Sequence, residues 1–289
     1  MRFGISLPPF ADFAEARFLA EIAREAETLG WDGLFIWDHV FFAPTFHPNV
    51  DPWAALAVMA YNTSTIRLGT MVTPVARRRA WVLARQTVAV DRLSNGRLTL
   101  GVGLGDPAQW DFGFFGEPTD AKTRAQMLDE GLDVLCGLWT GQPFSFDGQY
   151  NHIRQMIFRP APVQSPRIPI WVGGNWPNKA PMRRAARFDG FYPIKWDGGM
   201  TADTWREALA YIRQHRTLLT PFDAAHGGCV PDDLWHKAAP AVEPFVEVGV
   251  TWWIEDVSPW RFGASWEEPW KPEHTQRMVE LIRRGPPRV

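Results

Sequence analysis

Cysteine is scarce in this chain. The two thiols in 289 residues, Cys136 and Cys229, are too few for a disulfide framework or for a zinc site of their own. Both read as buried or half-buried thiols in a reducing compartment. No apolar run approaches the ~20 residues that a membrane-spanning helix needs. The chain enters a strand at Arg2 with no signal-peptide pattern, so a cytoplasmic protein is expected. Neither sign of charge dominates: 30 Lys and Arg stand against 32 Asp and Glu, a formal net charge of −2. That balance gives no footing to nucleic acid or an anionic membrane as partner. There is no His-x-His pair and no His-Glu-x-x-His helix, so metal-dependent hydrolysis has no ligand set and no metal is expected. No Gly-x-Gly-x-x-Gly opens a helix after the first strand, which disfavours an open dinucleotide-binding sheet.

What the chain does have is tryptophan, 16 residues from Trp31 to Trp270. Such usage means either a heavily packed core or a pocket with several aromatic walls, suited to a flat ligand. The stretch from Ile66 to Asp106 shows how the rest is organised. A β-rich run, Ile66 to Thr73, ends at Pro74. A helical segment follows, with Val82, Ala89 and Leu93 on one face and Trp81 and Val90 beside them. Ser94-Asn95-Gly96 stops it, because Asn and Gly tolerate the left-handed conformation at a helix end. Leu98 to Leu104 is a second buried strand. Two parallel strands around one helix make a βαβ unit.

The same alternation runs through the chain. Strands are expected at Arg2 to Leu7, Gly33 to His39, Ile168 to Gly174, Gly190 to Lys195, Phe222 to Gly228 and Val250 to Glu255. Helices fall at Glu15 to Leu29, from Pro52 through Tyr61, up to Trp139, through Arg187, and over Asp203 to Leu218, Asp232 to Val248 and His274 to Arg284. A loop rich in Phe, Pro and His spans Val40 to Asp51. Residues 143–163 read as an excursion, with a hairpin turning at Asp147-Gly148. Eight strands alternating with helices predict an α/β fold, a (β/α)8 TIM barrel with inserted segments in a single domain over 1–289.

In such barrels the active site lies at the C-terminal ends of the strands. That singles out Asp38 and His39, Met71 to Pro74, Gly103 to Asp106, Gly173 to Asn175, Lys195, His226, and Glu255 with Asp256. Neighbouring strand residues face opposite ways, so at most one of Asp38 and His39 turns to the barrel axis. His39 is either a proton carrier or a histidine satisfied by a backbone partner. Asp106 suits a proton donor across the pocket or a loop-tip cap. Glycines at strand ends let a ligand approach the backbone, and they are also ordinary turn chemistry. Arg77-Arg78-Arg79 reads better as a solvated basic turn than as an anion site. Lys195 suits a Schiff-base amine or a plain surface lysine.

Several of these motifs stand in a telling order: Trp37-Asp38-His39, Ile66 to Pro74 (IRLGTMVTP), Asp91 to Leu98 (DRLSNGRL), Gly101 to Gly105, Ile168 to Gly174 (IPIWVGG) and Arg184 to Gly190 (RAARFDG). In this order the chain resembles the bacterial-luciferase-like superfamily of flavin- and deazaflavin-dependent oxidoreductases and monooxygenases, over about Arg2 to Lys195. The resemblance implies a barrel that binds reduced FMN or the deazaflavin coenzyme F420 at its mouth. It implies hydride transfer to, or oxygen activation on, a small organic substrate. It also implies a non-prolyl cis peptide between Met71 and Val72, forming a bulge behind the cofactor ring. His39 would act at the hydride-transfer centre with Asp38 beside it, and Asp106 would donate a proton, where a glutamate is usual. Met71, Val72, Thr73, Gly103, Leu104, Gly105, Gly173, Gly174 and Asn175 would meet the cofactor. Asn175 departs from the patterns of both cofactor classes and leaves FMN or F420 open. Trp37, Phe41, Phe42, Trp110 and Phe114 would shape the substrate side. A homodimer is expected by resemblance, with a flavin reductase as partner if FMN is used. The rival readings are a non-catalytic flavin-binding partner subunit and a Schiff-base lyase using Lys195.

Overall fold

The computed structural model describes residues 1–42, 48–265 and 268–289, so residues 43–47 of the loop expected between Val40 and Asp51 lie outside the described residues. The strands are β1 (Arg2–Leu7), β2 (Gly33–Ile36), β3 (Arg67–Pro74), β4 (Leu98–Gly103), β5 (Pro143–Asp147), β6 (His152–Ile157), β7 (Ile170–Asn175), β8 (Gly190–Ile194), β9 (Asp223–Gly228) and β10 (Trp252–Asp256). Eight of them, all but β5 and β6, close a parallel barrel in the order β1-β2-β3-β4-β7-β8-β9-β10, with β10 paired back onto β1. β2 and β4 are buried at every position, as expected where helices cover the outside of a parallel sheet and side chains fill its inside. β5 and β6 form the antiparallel hairpin outside the barrel. Its turn is held by Glu130, which accepts from the amides of Gln149, Tyr150 and Asn151.

The helices are α1 (Ala16–Thr28), α2 (Pro52–Asn62), α3 (Ala80–Leu93), α4 (Ala108–Asp111), α5 (Ala121–Trp139), α6 (Lys179–Ala185), α7 (Ala202–His215), α8 (Ala239–Val248) and α9 (Pro272–Arg283). Local chemistry sets their ends. Asp51 caps α2 by accepting from the Ala54 amide at 2.8 Å, and Pro52 sits in the first turn, where its missing N–H costs nothing. Asn95 and Gly96 take positive φ values of 53° and 83° after α3. Among the described residues no helix is long and apolar enough to cross a membrane.

Two helical expectations need correction. Val82, Ala89 and Leu93 of α3 face solvent, and Trp81 with them, while Leu83, Ala84, Thr87, Val88, Val90 and Asp91 face the core. The core stripe is hidden in the sequence because two of its members are polar. Each is satisfied inside: Trp139 donates to the Thr87 hydroxyl, and Asp91 accepts from the Val163 amide and the Gln164 side chain. The helix expected over Asp232 to Val248 is broken into a 3-10 turn, Asp232–Leu234, and α8. Pro240 falls in the first turn of α8, where it starts a helix rather than continuing one.

The barrel interior is filled by Phe35, Met71, Trp171, Ala225, Trp252 and Ile254, with Val72 and Tyr192 packed against them. Near the N-terminal ends of the strands, Asp223 accepts from the indoles of Trp171 and Trp252 and plugs that end. The packed-core reading holds for five of the tryptophans. Trp139, Trp171, Trp205, Trp235 and Trp252 are fully buried, whereas Trp37, Trp110, Trp260 and Trp270 cluster with Phe10 and Phe42.

Candidate active site

Near its C-terminal end β3 carries one residue more than its neighbour. Its pairing with β4 passes from Thr70 opposite Leu100 to Thr73 opposite Val102, so two steps on β4 match three on β3. The Met71–Val72 peptide inside this bulge is cis. The side chain of Val72 projects over the last residues of β4 and β7. A Cβ on Gly103 would stand 2.6 Å from a Val72 methyl, and one on Gly173 would stand 2.9 Å away. These two glycines therefore make room for Val72. The result is a small apolar shelf of Met71 and Val72 at the mouth, the first buried and the second half-buried.

Beside the shelf, residues 38 and 39 take different partners. Asp38 is buried and fully engaged: its carboxylate accepts from Thr73 Oγ1 at 2.8 Å, from Arg77 and from Arg78, whose Nη2 lies 2.7 Å away. His39 sends Nδ1 to Asp111 Oδ2 at 2.6 Å. The second oxygen of Asp111 accepts from the Val40 amide at 2.9 Å and pairs with Arg77 Nη1 at 2.6 Å. Arg77 thus bridges Asp38 and Asp111. Burial would raise the Asp111 carboxyl, but His39, Arg77 and the Val40 amide outweigh it and hold it below its ordinary value. With Nδ1 on a carboxylate, the orientation of the His39 ring is fixed.

Asp111 is the carboxylate of this cluster that the sequence does not single out. It ends α4, beside Trp110, and belongs to none of the motifs read from the sequence. The signal was its position between Trp110 and Phe112, since a carboxylate among rings must find a cation or a histidine inside. Arg77 and Arg78, read as a solvated turn, are instead committed to buried carboxylates, and of the three arginines Arg79 alone is exposed. Asp106 stands exposed on the loop after β4, and the carboxylate that meets His39 is Asp111.

A ring of aromatic side chains surrounds His39. Phe42 and Phe10 lie 4.9 and 5.8 Å from it between ring centres, and Trp37 lies 6.1 Å away. Trp260 lies parallel to Trp37 at 5.5 Å. It rides on the turn Pro259–Phe262 after β10, and its neighbour Arg261 is anchored on the buried Glu255 carboxylate. Deeper in, Trp37 donates to Ser6 at 2.9 Å and Ser258 donates to Asp256 at 3.0 Å. Burial pushes the Tyr192 phenol up, with Asp256 adding to it, so that hydroxyl stays a neutral donor.

The remaining residues foreseen at the mouth fall as follows. Thr73 is buried with its hydroxyl on Asp38. The carbonyls of Leu104 and Gly105 accept from Arg124 at 2.6 Å. Gly174 lies against Pro181, and the exposed Asn175 accepts from the Asn178 amide. Lys195 is half-buried and pairs with the exposed Asp197. His226 points away from the mouth into the helix layer, where it stacks on Phe245 at 4.1 Å and accepts from Trp205, and burial pushes its pKa down to about 3. Cys136 is half-buried, and Cys229, expected to be shielded, is exposed.

Residues 1–218 match the model of the luciferase-like monooxygenase family. The chain is 34% identical over 205 residues to an F420-dependent glucose-6-phosphate dehydrogenase of Gordonia bronchialis, covering 69% of this chain and 58% of that protein. A protein of the same name from Microbacterium testaceum is 30% identical over 159 residues, covering 53% and 45%. The chain therefore spans about half the length of the curated relatives it matches. Among solved structures, the coenzyme F420-dependent tetrahydromethanopterin reductase of Methanopyrus kandleri superposes with a TM-score of 0.72 at 18% identity, over 98% of this chain and 97% of that one. An F420-dependent secondary alcohol dehydrogenase gives 0.72 at 16% identity, over 88% and 92%. At these identities the likeness establishes the barrel.

Proposed function

Since the chain belongs to the luciferase-like monooxygenase family, we propose that it is an oxidoreductase that takes coenzyme F420 at the barrel mouth and acts on a small organic substrate. The observation that carries this is the Met71–Val72 shelf, made room for by Gly103 and Gly173, with His39 and its Asp111 partner alongside. The fit is physical. A flat ring needs an apolar support with no side chain rising beside it, and two glycines that tolerate no Cβ provide that. The names of the sequence relatives support F420 over FMN. Bound there, the coenzyme supplies the hydride chemistry, for which no side chain is suited.

The chain's own residues do the rest. Met71 and Val72 back the ring, and the strand ends at Gly103 to Gly105 and Gly173 to Asn175 flank it. His39 exchanges a proton with the substrate oxygen through the nitrogen not held by Asp111. Asp111 fixes the tautomer and orientation of that ring, and Asp38 fixes Arg77, which in turn holds Asp111. Asp106 lies outside this network. The reading includes a homodimer acting in the cytoplasm, and a separate flavin reductase belongs to it only with FMN as occupant.

The test is a fluorescence titration of the purified protein with F420 and, separately, with FMN. F420 is expected to bind at micromolar concentration or below and more tightly than FMN. His39→Gln is expected to keep that affinity while lowering turnover by about 10²-fold or more. Unchanged turnover in His39→Gln would favour the partner-subunit reading, and binding of neither coenzyme would remove the proposal.

A further inference from the structure

We infer that the substrate side of the mouth is built for an uncharged alcohol or carbonyl compound carrying an apolar ring, and that Trp260 is the residue that selects it. This rests on the reading above in one respect, that His39 marks the reacting end.

The walls argue for the ring. Phe10, Trp37 and Phe42 stand around His39, and Trp270, Trp260 and Trp110 pack against them in turn, brought together from five separate segments of the chain. Such rings offer broad apolar faces with few hydrogen-bonding atoms. A sugar needs a partner for each hydroxyl, and among the described residues the hydroxyls nearby already have partners: Ser6 accepts from Trp37 and pairs with the Tyr192 hydroxyl, and Ser258 donates to Asp256.

The charges argue against an anion. Arg77, Arg78 and Arg261 reach this end of the barrel, and each is committed to a buried carboxylate of Asp38, Asp111 or Glu255. Arg261 also donates to the Val230 carbonyl at 2.6 Å. A phosphate could recruit one of them only by leaving a carboxylate buried without its partner, the costliest way to lose an ion pair. Among the described residues the wall beside His39 thus offers a phosphate no arginine that is not already held by a buried carboxylate, and Lys195, which follows β8 across the barrel, pairs with Asp197.

Trp260 is singled out by how it is held. The buried Glu255–Arg261 pair pins the residue next to it, Trp37 stacks flat against it with an interplanar angle of 2°, and Trp270 and Phe42 meet it edge-on. A wall fixed on three sides discriminates by shape, because it cannot swing aside for a poor fit.

Calorimetric titration of the protein with 1-phenylethanol and with glucose 6-phosphate, each with and without F420, tests this. The ring alcohol is expected to bind at least about tenfold more tightly than the sugar phosphate, and Trp260→Ala to remove about that tenfold. Trp260→Phe should restore most of it with a melting temperature close to wild type, and F420 affinity should stay close to wild type in both variants, although Trp260→Ala melts lower for its lost packing. Tighter binding of glucose 6-phosphate overturns the inference while leaving the cofactor reading intact. Equal ring-alcohol affinity in wild type and Trp260→Ala also overturns it. If F420 fails to bind but the apoprotein still takes the ring alcohol in a Trp260-dependent way, the inference stands and the cofactor reading falls.

Discussion

A carboxylate shut away from water stays ionised only when donors replace the water, and Asp111 has three: the His39 ring, the Arg77 guanidinium and the Val40 amide. Its pKa lies below the ordinary carboxylate value, so its contribution to stability is present above that value and lost as pH falls through its own. Asp111→Asn keeps the shape and removes the charge. It is expected to cost about 3 kcal/mol, because Arg77 is left buried with one acid in place of two. Urea unfolding at neutral pH measures that. The same change frees His39 and should lower turnover at least about tenfold with coenzyme affinity unchanged. Asp106→Asn provides the contrast, with both quantities close to wild type. Should Asp106→Asn lose as much turnover as Asp111→Asn, the acid acts from the exposed loop and the assignment to Asp111 fails. The sequence made His39 legible because a histidine at a strand end is a recognisable position. Asp111 was far less legible, because its partners come from residues about 30 and 70 positions away and its only local mark is the pair of rings that flank it.

At the level of elements, the bulge on β3 depends on its neighbours having no side chains. Gly103→Ala would set a methyl 2.6 Å from a Val72 methyl, and the two cannot both stay. The expected cost is about 1–3 kcal/mol in stability. F420 binding should fall by a larger factor than in a Gly116→Ala control, since Gly116 has no neighbour within 4 Å and its substitution is a backbone effect alone. If Gly103→Ala binds the coenzyme as well as wild type, the shelf is not the coenzyme's support. Strand positions were the most readable part of the sequence, because strands buried on both faces form continuous apolar runs between glycines and prolines. Even the glycine-rich β9 fell where it was expected. Helix facing was less readable. The core side of α3 carries Thr87 and Asp91 and its solvent side carries Trp81, Val82 and Leu93, so hydrophobicity alone points the wrong way. Tertiary hydrogen bonds reversed it.

Across the whole molecule, the C-terminal third fixes one wall of the mouth through Glu255. Burial pushes that carboxyl up from 4.5 to about 7, although Arg261, Trp253 and Val230 all donate to it. The folded protein therefore holds this proton more tightly than the unfolded chain does. The contribution of that proton to stability is full below about 4.5 and fades as pH rises through about 7. Compared with Glu255→Gln, which cannot titrate, the wild-type melting temperature should drift downward between about pH 5 and about pH 8. Parallel melting curves for the two proteins across that range would refute it.

The pairing of β1 with β10 also has a consequence for synthesis. Arg2 meets Trp252 and Ser6 meets Asp256, so the first strand waits for one made some 250 residues later. Until then a growing chain carries a curved, open sheet whose edges at β1 and at the newest strand offer unpaired backbone to any neighbour. Contacts this distant in sequence form slowly, and the exposed edges invite association between chains. On the ribosome, the vulnerable interval lasts until the emergence of Trp252 to Asp256 lets the ring close.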